Sequence, residues 1–232
     1  MRLCVIPARG GSKRIPKKNI KLFCGKPIIA YSIDAAKRTG CFDRIIVSTD
    51  DDEIASIASG CGAEVPFIRP KSLADDFSGT IPVIKHAIEY FRSGGLMYEY
   101  VCCVYATAPF VRELDILSAL EKLEQGDLLY SVPFTRYRFP IQRAVKINER
   151  GRVEMFFPEN FNTRSQDLEE SWHDAGQFYW GMADAWLAEK PIFSSDTWAL
   201  SVPSYRVQDI DNMDDWKRAE AMYRALLEMN EI

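Results

Sequence analysis

The chain has 232 residues, of which 47% are hydrophobic and 27% charged, a balance typical of a folded globular protein rather than a disordered one. The formal net charge of −4 at pH 7 excludes a general attraction to nucleic acid or to an anionic membrane surface. No apolar run approaches the roughly 20 residues of a membrane-spanning helix, and residues 1–8 are too short for a signal peptide. We therefore predict one domain over residues 1–232, with neither nucleic acid nor membrane as a partner.

The six cysteines predict free thiols rather than a redox or metal centre. They form no CxxC pair and have no Cys/His metal spacing. Cys102 and Cys103 are adjacent in an apolar run, where successive side chains of a strand face opposite ways. Because free thiols are typical of a reducing compartment, we expect a cytoplasmic protein.

A basic, glycine-containing loop follows the first predicted strand. The apolar run at residues 4–6 is typical of a buried strand, and it breaks at Pro7. Backbone N–H groups beside glycines can approach an anion closely, and neighbouring cations neutralise it, which suits a polyphosphate. The candidate ligands are Ala8, Arg9, Gly10, Gly11, Ser12, Lys18 and Asn19. The spacing fits neither the P-loop nor GxGxxG, and a solvated basic loop is the alternative.

Strands and helices then alternate along the chain. The patterns predict helices at 27–40, 51–60 (with Asp51 as N-cap), 80–91 and 112–125, and strands at 44–48, 64–68 and 100–105. This alternation indicates an α/β fold, a mostly parallel sheet with helices on both faces. Because ligands of such sheets bind beyond the carboxyl ends of the strands, we expect the first loop and the loops at 75–80 and 105–110 to meet there.

The alternation stops after Tyr130. Residues 142–148 and 152–157 flank Glu149-Arg150-Gly151, a pattern that predicts a β-hairpin with Gly151 in the left-handed conformation. No helix is predicted beside either strand. The excursion at residues 136–162 therefore packs on a second subunit, or it forms an edge hairpin on the same subunit. A final helix is predicted at residues 212–230.

Asp209 and Asp211 form a second candidate site. After a short predicted strand at residues 205–207, alternation places both carboxylates on the same side. Two like charges so close favour a cation between them, and carboxylate and phosphate oxygens are ligands of Mg²⁺, with Mn²⁺ as the alternative ion. In the competing interpretation, Asp211 caps the last helix and Asp209 is solvated.

A third candidate site is a polar stretch, at residues 162–180, that ends in aromatic side chains. Such a stretch suits recognition of a polyhydroxylated acid, because arginine can bind a carboxylate in a bidentate pair and amides can bond hydroxyl groups. The candidate substrate-binding residues are Arg164, Gln166, Asp167, Asp174, Gln177 and Tyr179. His173 is interpreted as a hydrogen-bonded structural residue rather than a catalytic base.

Together these motifs resemble the sugar-acid cytidylyltransferases, the CMP-sialic acid synthetase group. Segments similar to that family occur in its order along nearly the whole chain: IPARGGSKRIPKKN, VSTDD, LADDFSGT, ATAPF, NTRSQD and QDID. HDAGQFYWG and ATAPF are most similar to the branch that acts on pseudaminic acid. The loop beginning at Tyr105 departs from the sialic acid pattern, which carries a glutamine ahead of Thr-x-Pro and an arginine after it.

The resemblance implies a Rossmann-like nucleotidyltransferase that transfers CMP from CTP to the anomeric hydroxyl of a nine-carbon nonulosonic acid and releases pyrophosphate. It implies catalytic roles for Arg9, Lys18 and Asp211 and magnesium on the Asp209–Asp211 pair. It assigns cytosine and ribose to Ser78, Thr80, Ala106, Thr107 and Pro109, and the sugar to Arg164, Gln166 and Gln177. It also implies a homodimer in which the hairpin reaches the neighbouring site.

Three alternatives stay open at this point. The same chemistry could act on N-acetylneuraminic acid, legionaminic acid or the eight-carbon Kdo. A non-catalytic CTP-binding protein is a second alternative, against which the intact carboxylate pair argues. A thiol or redox protein is the third, and the lack of a CxxC pair argues against it.

Overall fold

A twisted sheet flanked by helices runs through the part of the chain that the computed structural model describes, residues 1–75 and 78–231. Two residues of the predicted 75–80 loop, Asp76 and Phe77, lie outside the described residues. The strands are β1 Arg2–Pro7, β2 Leu22–Phe23, β3 Lys26–Pro27, β4 Arg44–Ser48, β5 Tyr100–Val104, β6 Tyr130–Arg136, β7 Val145–Ile147, β8 Val153–Met155, β9 Trp172–Asp174, β10 Phe178–Met182 and β11 Thr197–Ser201. The helices are α1 Ile28–Thr39, α2 Asp52–Gly60, α3 Thr80–Ser93, α4 Glu113–Glu124, α5 Ala183–Leu187 and α6 Met213–Glu228.

The strand order of the main sheet is β11-β6-β10-β5-β1-β4, with β9 paired to β6. β1 lies between β4 and β5 and is parallel to both, and β11 is parallel to β6. β10 is antiparallel to both of its neighbours, and β9 is antiparallel to β6. The strands other than β9 and β10 therefore share one direction, and the predicted α/β fold with a mostly parallel sheet is confirmed.

Each face of the sheet is covered by helices, as predicted. Cys4 and Ile6 of β1 pack with Ile33 of α1 and Leu120 of α4 on one face. On the other face, Leu3 and Val5 pack with residues of α3 and α5. The adjacent Cys102 and Cys103 belong to opposite layers, which confirms the alternation expected for β5. Both layers remove apolar side chains from water, which is the main stabilising contribution to the fold.

The last helix is attached to the first thirty residues. Trp216 of α6 contacts Phe23 edge to face, with ring centroids 5.6 Å apart, and both rings are buried. Asn212 caps α6 by accepting hydrogen bonds from the N–H groups of Asp214 and Asp215, so Asp211 is not the cap. This packing brings residues 209–211, just ahead of α6, beside the loop that follows β1.

Two of the predicted strands are absent. The segment at 64–68 forms only two isolated bridges, Glu64 to Ile46 of β4 and Ile68 to Thr49 just after β4, because Pro66 between them has no N–H group to donate. The segment at 205–207 is also wrong as a strand: a 3₁₀ turn, Ser204–Arg206, follows Pro203. The carboxylates of Asp209 and Asp211 are therefore presented by a loop and not by strand alternation.

The predicted hairpin is confirmed as the two-stranded sheet β7–β8, with Gly151 at a φ of 70°. It does not pair with the main sheet, so it is not an edge hairpin of that sheet. The excursion exposes a series of large apolar side chains: Tyr137, Phe139, Ile141, Val145, Ile147, Val153, Phe156, Phe157 and Phe161.

Among the described residues, no helix has the length and apolar character needed to cross a membrane.

Gly181 in β10 provides a test of the core packing. A Cβ atom at this position would lie 2.5 Å from Trp186 Nε1 and 2.6 Å from the Tyr130 ring. We expect Gly181→Ala to lower the free energy of unfolding by about 2 kcal/mol, because a packed core does not yield to an added methyl group without strain. Urea unfolding measures this. Gly126→Ala, which meets no atom within 4 Å, is the control and should change stability by less than about 0.5 kcal/mol.

Candidate functional site

A cavity of about 560 Å³ opens beyond the carboxyl ends of β1 and β5. The loop after β1, the start of α3, the loop after β5 and the segment before α6 form its wall. The lining residues are Pro7, Arg9, Ser12, Lys13, Arg14, Ile15, Lys18, Asn19, Arg69, Ser78, Gly79, Thr80, Val83, Tyr105, Ala106, Thr107 and Asp211. Its place in the sheet is the one that the topology predicts for a ligand.

The cavity brings together most of the predicted nucleotide-binding residues. Those that line it are Arg9, Ser12, Lys18, Asn19, Ser78, Thr80, Ala106, Thr107 and Asp211. Outside the lining lie Ala8, Gly10, Gly11, Pro109 and Asp209, together with the six predicted sugar-binding residues, Arg164, Gln166, Asp167, Asp174, Gln177 and Tyr179. Pro109 instead lines a second cavity, near α4 and α6.

Hydrogen bonds from side chains to its backbone hold the loop after β1 in place. The Gly10 N–H donates to Asp50 Oδ1 at 3.0 Å, so this donor faces β4 rather than the cavity. A Cβ at Gly10 would lie 2.7 Å from Asp51 Oδ2, so a larger residue there would displace the Asp51 side chain. On the other side, Asn19 Nδ2 donates to the Arg9 carbonyl at 2.9 Å. These bonds fix the path of the loop and leave its cationic side chains to face the cavity.

Cations of this loop contact the segment before α6, about 200 residues further along the chain. Arg14 binds both carboxylate oxygens of Asp211, each at 2.9 Å. Lys18 Nζ donates to the Ile210 carbonyl at 2.8 Å and lies 3.9 Å from Asp211 Oδ1. Burial lowers the pKa of Lys18 from its ordinary value, and the carboxylates of Asp211 and Asp209 oppose that shift.

The Asp209–Asp211 pair fits a cation only in part. Removal of water by surrounding protein, and next the Asp211 carboxylate, raise the pKa of Asp209, so a positive charge nearby would be favourable. Within residues 1–75 and 78–231, however, no group of three or more His, Cys, Asp or Glu side chains is arranged to hold a metal ion. An ion bound at this pair would take its remaining oxygen ligands from the substrate or from water.

Arg69 is a cavity residue that the sequence analysis did not single out. Its side chain is only 4% exposed, and its Nε and Nη2 atoms have no hydrogen-bond partner among the described residues. Nη2 lies 3.8 Å from Asp50 Oδ1, and the Arg69 N–H donates to the Thr49 carbonyl at 2.7 Å, which holds Arg69 beside the end of β4. Burial lowers the pKa of Arg69, but a guanidinium stays protonated at neutral pH. Buried donors of this kind suit an acceptor on a ligand.

A signal for Arg69 was present in the sequence. It directly follows the predicted strand at 64–68, and ligand-binding residues are expected at the carboxyl end of such a segment.

The predicted sugar-binding residues divide into an exposed group and a buried group. Arg164, Gln166 and Asp167 are exposed on and beside a 3₁₀ turn, away from the cavity. Gln177 is buried and donates to the Arg206 carbonyl at 2.7 Å, while the Arg206 guanidinium pairs with Asp115. Gln177 therefore supports the fold in this structure.

Asp174 and Tyr179 are connected to the cavity through hydrogen bonds. The Tyr179 hydroxyl donates to Asp174 Oδ2, and it accepts from the Tyr105 hydroxyl at 3.4 Å. Tyr105 is in turn 3.0 Å from Thr80 Oγ1, and both of these residues line the cavity. His173 Nδ1 lies 2.9 Å from the Asp174 carbonyl and its ring contacts Tyr137, which agrees with a structural role.

Comparisons with known proteins agree with this architecture. The family model described as "Cytidylyltransferase" matches residues 3–174. A pseudaminic acid cytidylyltransferase of Campylobacter jejuni (strain 81-176) is 45% identical over 96% of both chains. A CMP-N,N'-diacetyllegionaminic acid synthase of Legionella pneumophila is 33% identical over 99% of this chain and 97% of its own.

The fold also occurs in a solved CMP:2-keto-3-deoxy-manno-octonic acid synthetase complexed with CTP. The TM-score is 0.72 at 16% identity, covering 97% of this chain and 98% of the other, which is a likeness of fold. The family match spans the first loop, α3 and the loop after β5, which form most of the cavity wall. The chain belongs to the cytidylyltransferase family.

Proposed function

We propose that this chain transfers CMP from CTP to the anomeric hydroxyl of pseudaminic acid and releases pyrophosphate. The observation that carries the proposal is the cavity in which Arg9, Arg14 and Lys18 from one loop lie with the buried Arg69. A triphosphate is the ligand whose charge this set of cations neutralises. The 45% identity to a pseudaminic acid cytidylyltransferase supports the choice of acid.

In the proposed reaction the anomeric oxygen attacks the α-phosphorus in line, and the bond between that phosphorus and the bridging oxygen breaks. Pyrophosphate leaves with the bridging oxygen, and the hydroxyl proton passes to solvent. Arg9, Ser12 and Lys18 hold the phosphates in position and stabilise the charge that develops on the leaving group. Arg9 also donates to the Asp75 carbonyl, which connects the phosphate-binding loop to the loop ahead of α3.

We propose magnesium, with manganese as the alternative ion, as the cofactor. Asp209 and Asp211 would hold it, with phosphate oxygens as further ligands. When bound, such an ion neutralises phosphate oxygens and favours ionisation of the attacking hydroxyl. In the present structure Arg14 occupies both oxygens of Asp211, so Arg14 must share or release this carboxylate when the ion binds.

We further propose a homodimer formed through the excursion at residues 136–162. Its exposed apolar side chains resemble an uncovered interface, since large contiguous apolar patches are uncommon on monomers. The exposed Arg164, Gln166 and Asp167 follow directly after it and lie outside their own chain's cavity. In a dimer they can reach the partner's cavity and contact the sugar acid there.

The proposed substrates and the free thiols favour the cytoplasm as the location of the protein.

Pyrophosphate release tests the proposed function. With CTP and magnesium, we expect turnover with pseudaminic acid. We expect little turnover in parallel assays with N-acetylneuraminic acid, legionaminic acid or Kdo. Asp211→Asn should lower the rate at least tenfold, a loss of about 1.4 kcal/mol of transition-state stabilisation. Turnover with another acid alone would change the substrate assignment. CTP binding without turnover on any of the four would favour the non-catalytic alternative.

The affinity for CTP should fall at alkaline pH because of Lys18. Its pKa is lowered from 10.5, and only the protonated amine attracts phosphate, so affinity is lost as pH rises through that lowered pKa. Titration calorimetry between about pH 7 and 10.5 measures the decline. Lys18→Arg should remove it, since arginine stays protonated, whereas Lys37→Arg, outside the cavity, should keep it. A decline that persists in Lys18→Arg would contradict the assignment.

The hairpin provides a test of the dimer. Ile147 and Val153 are cross-strand partners, 73% and 66% exposed. The double substitution to lysine should convert the dimer to a monomer in light scattering, raise KM for the sugar acid and leave the affinity for CTP intact, because charges oppose burial of the patch. Met97→Lys, at a position 61% exposed and away from the hairpin, is the control. A monomeric wild-type protein would refute the proposal.

A further inference from the structure

Four side chains form a hydrogen-bonded series that runs from β9 to the cavity wall. Asp174 Oδ2 accepts from the Tyr179 hydroxyl, and Tyr179 accepts from the Tyr105 hydroxyl at 3.4 Å. The Tyr105 oxygen lies 3.0 Å from Thr80 Oγ1. Tyr179 is buried, and the two residues at the other end, Tyr105 and Thr80, line the cavity. We call this series the hydroxyl relay.

The direction of every bond in the hydroxyl relay follows from the carboxylate at its end. An ionised carboxylate has only lone pairs to offer, and each hydroxyl has a single proton. Tyr179 therefore donates to Asp174, which leaves its oxygen to accept from Tyr105. Tyr105 has then used its own proton, so Thr80 must donate to Tyr105. The oxygens of Thr80 and Tyr105 consequently offer lone pairs, and no proton, to the cavity.

The protons of the two tyrosines stay in place at neutral pH. Burial, as the largest cause, raises the pKa of Tyr105 to about 12 and raises that of Tyr179 as well. At the other end, Asp174 Oδ1 accepts from the Gly176 N–H at 2.9 Å. Both oxygens of the Asp174 side chain thus accept a hydrogen bond, one from the Gly176 N–H and the other from the Tyr179 hydroxyl.

We propose that the hydroxyl relay makes this part of the wall an acceptor and thereby selects a hydrogen-bond donor on the substrate, which for the nucleotide is the amino group of cytosine. The inference rests on the proposed function, which supplies CTP as the ligand. Uracil has a carbonyl oxygen in place of that amino group, so its lone pairs would face those of Thr80. Asp174 and Tyr179 are then positioning residues that never touch the base.

The presence of Arg69 in the same cavity indicates that the donor recognised by the hydroxyl relay belongs to cytosine and not to the sugar acid. Arg69 lines the same cavity and has N–H groups without a hydrogen-bond partner among the described residues, and the cytosine edge carries acceptors next to its amino group. A wall with a donor and an acceptor of fixed direction matches that edge. The hydroxyl groups of a sugar acid can donate or accept, so a fixed direction matters less to them. An amide N–H on the acid is the other donor that could be recognised.

Asp174→Asn is the variant that reverses the hydroxyl relay. The Gly176 N–H is a backbone donor and cannot change, so the amide oxygen of the new side chain turns toward it. The amide NH₂ then faces Tyr179 and donates to it. Tyr179 must donate to Tyr105, Tyr105 to Thr80, and Thr80 into the cavity. Tyr179→Phe interrupts the relay instead and leaves Tyr105 free to point its proton either way.

The test measures the affinities of the full chain for CTP and for UTP at equilibrium, each in the presence of magnesium. We expect wild type to prefer CTP and Asp174→Asn to lower the ratio of the two affinities about tenfold, with a smaller decrease in Tyr179→Phe. Tyr130→Phe is the matched control. It removes a tyrosine hydroxyl bond of 3.0 Å to the Lys190 carbonyl, outside the cavity, and should leave the ratio unchanged.

Steady-state kinetics with the sugar acid form the second arm. An unchanged nucleotide ratio with a raised KM for the acid would uphold the acceptor wall and assign its donor to the acid. If folded Asp174→Asn and Tyr179→Phe change neither quantity, or change them no more than Tyr130→Phe does, the inference is overturned. The ratio of the CTP and UTP affinities is measured without turnover. An inactive wild-type protein would therefore refute the proposed function, while the affinity ratio would still test the inference.

Discussion

The docking of α6 on the first thirty residues is the constraint on which the site depends. The contact between Phe23 and Trp216 removes two large rings from water, and the Lys18 bond to the Ile210 carbonyl joins the same two parts of the chain. Without this packing the cations after β1 would face open solvent, and Asp211 would lie elsewhere. The cavity is therefore a product of hydrophobic burial, and its charges are positioned by that burial.

The positive charge of the cavity wall comes from the local arrangement of side chains and not from the net charge of the whole chain. The net charge is −4, yet the wall carries several cations from one loop. Carboxylates restrain this loop from two sides: Asp50 accepts from its backbone at Gly10, and Asp211 pairs with Arg14. In the proposed reaction, a polyphosphate that enters the cavity would take over the pairing of Arg14 and so release Asp211 for the proposed cation. Ligand and ion would then bind cooperatively.

Buried polar groups give the cavity a fixed pattern of donors and acceptors. Arg69 presents N–H groups that have no partner in the described part of the chain, and Thr80 and Tyr105 present oxygens whose protons are already used. A mismatched group on a ligand leaves such a buried atom unsatisfied at a substantial cost in free energy. Specificity at this wall thus follows from hydrogen-bond direction as well as from shape.

The sequence by itself determined the alternating elements, the class of sheet, the hairpin and the basic loop, because periodicity, capping and glycine positions act over a few residues. It failed at 64–68 and 205–207, where Pro66 and Pro203 outweigh a short segment of strand-forming residues. Only the tertiary structure decided that Gln177 is buried against Arg206, that Arg69 and Tyr105 reach the cavity, and that Arg164 does not. Burial and the meeting of distant side chains depend on how helices pack on the sheet, and no local pattern encodes that.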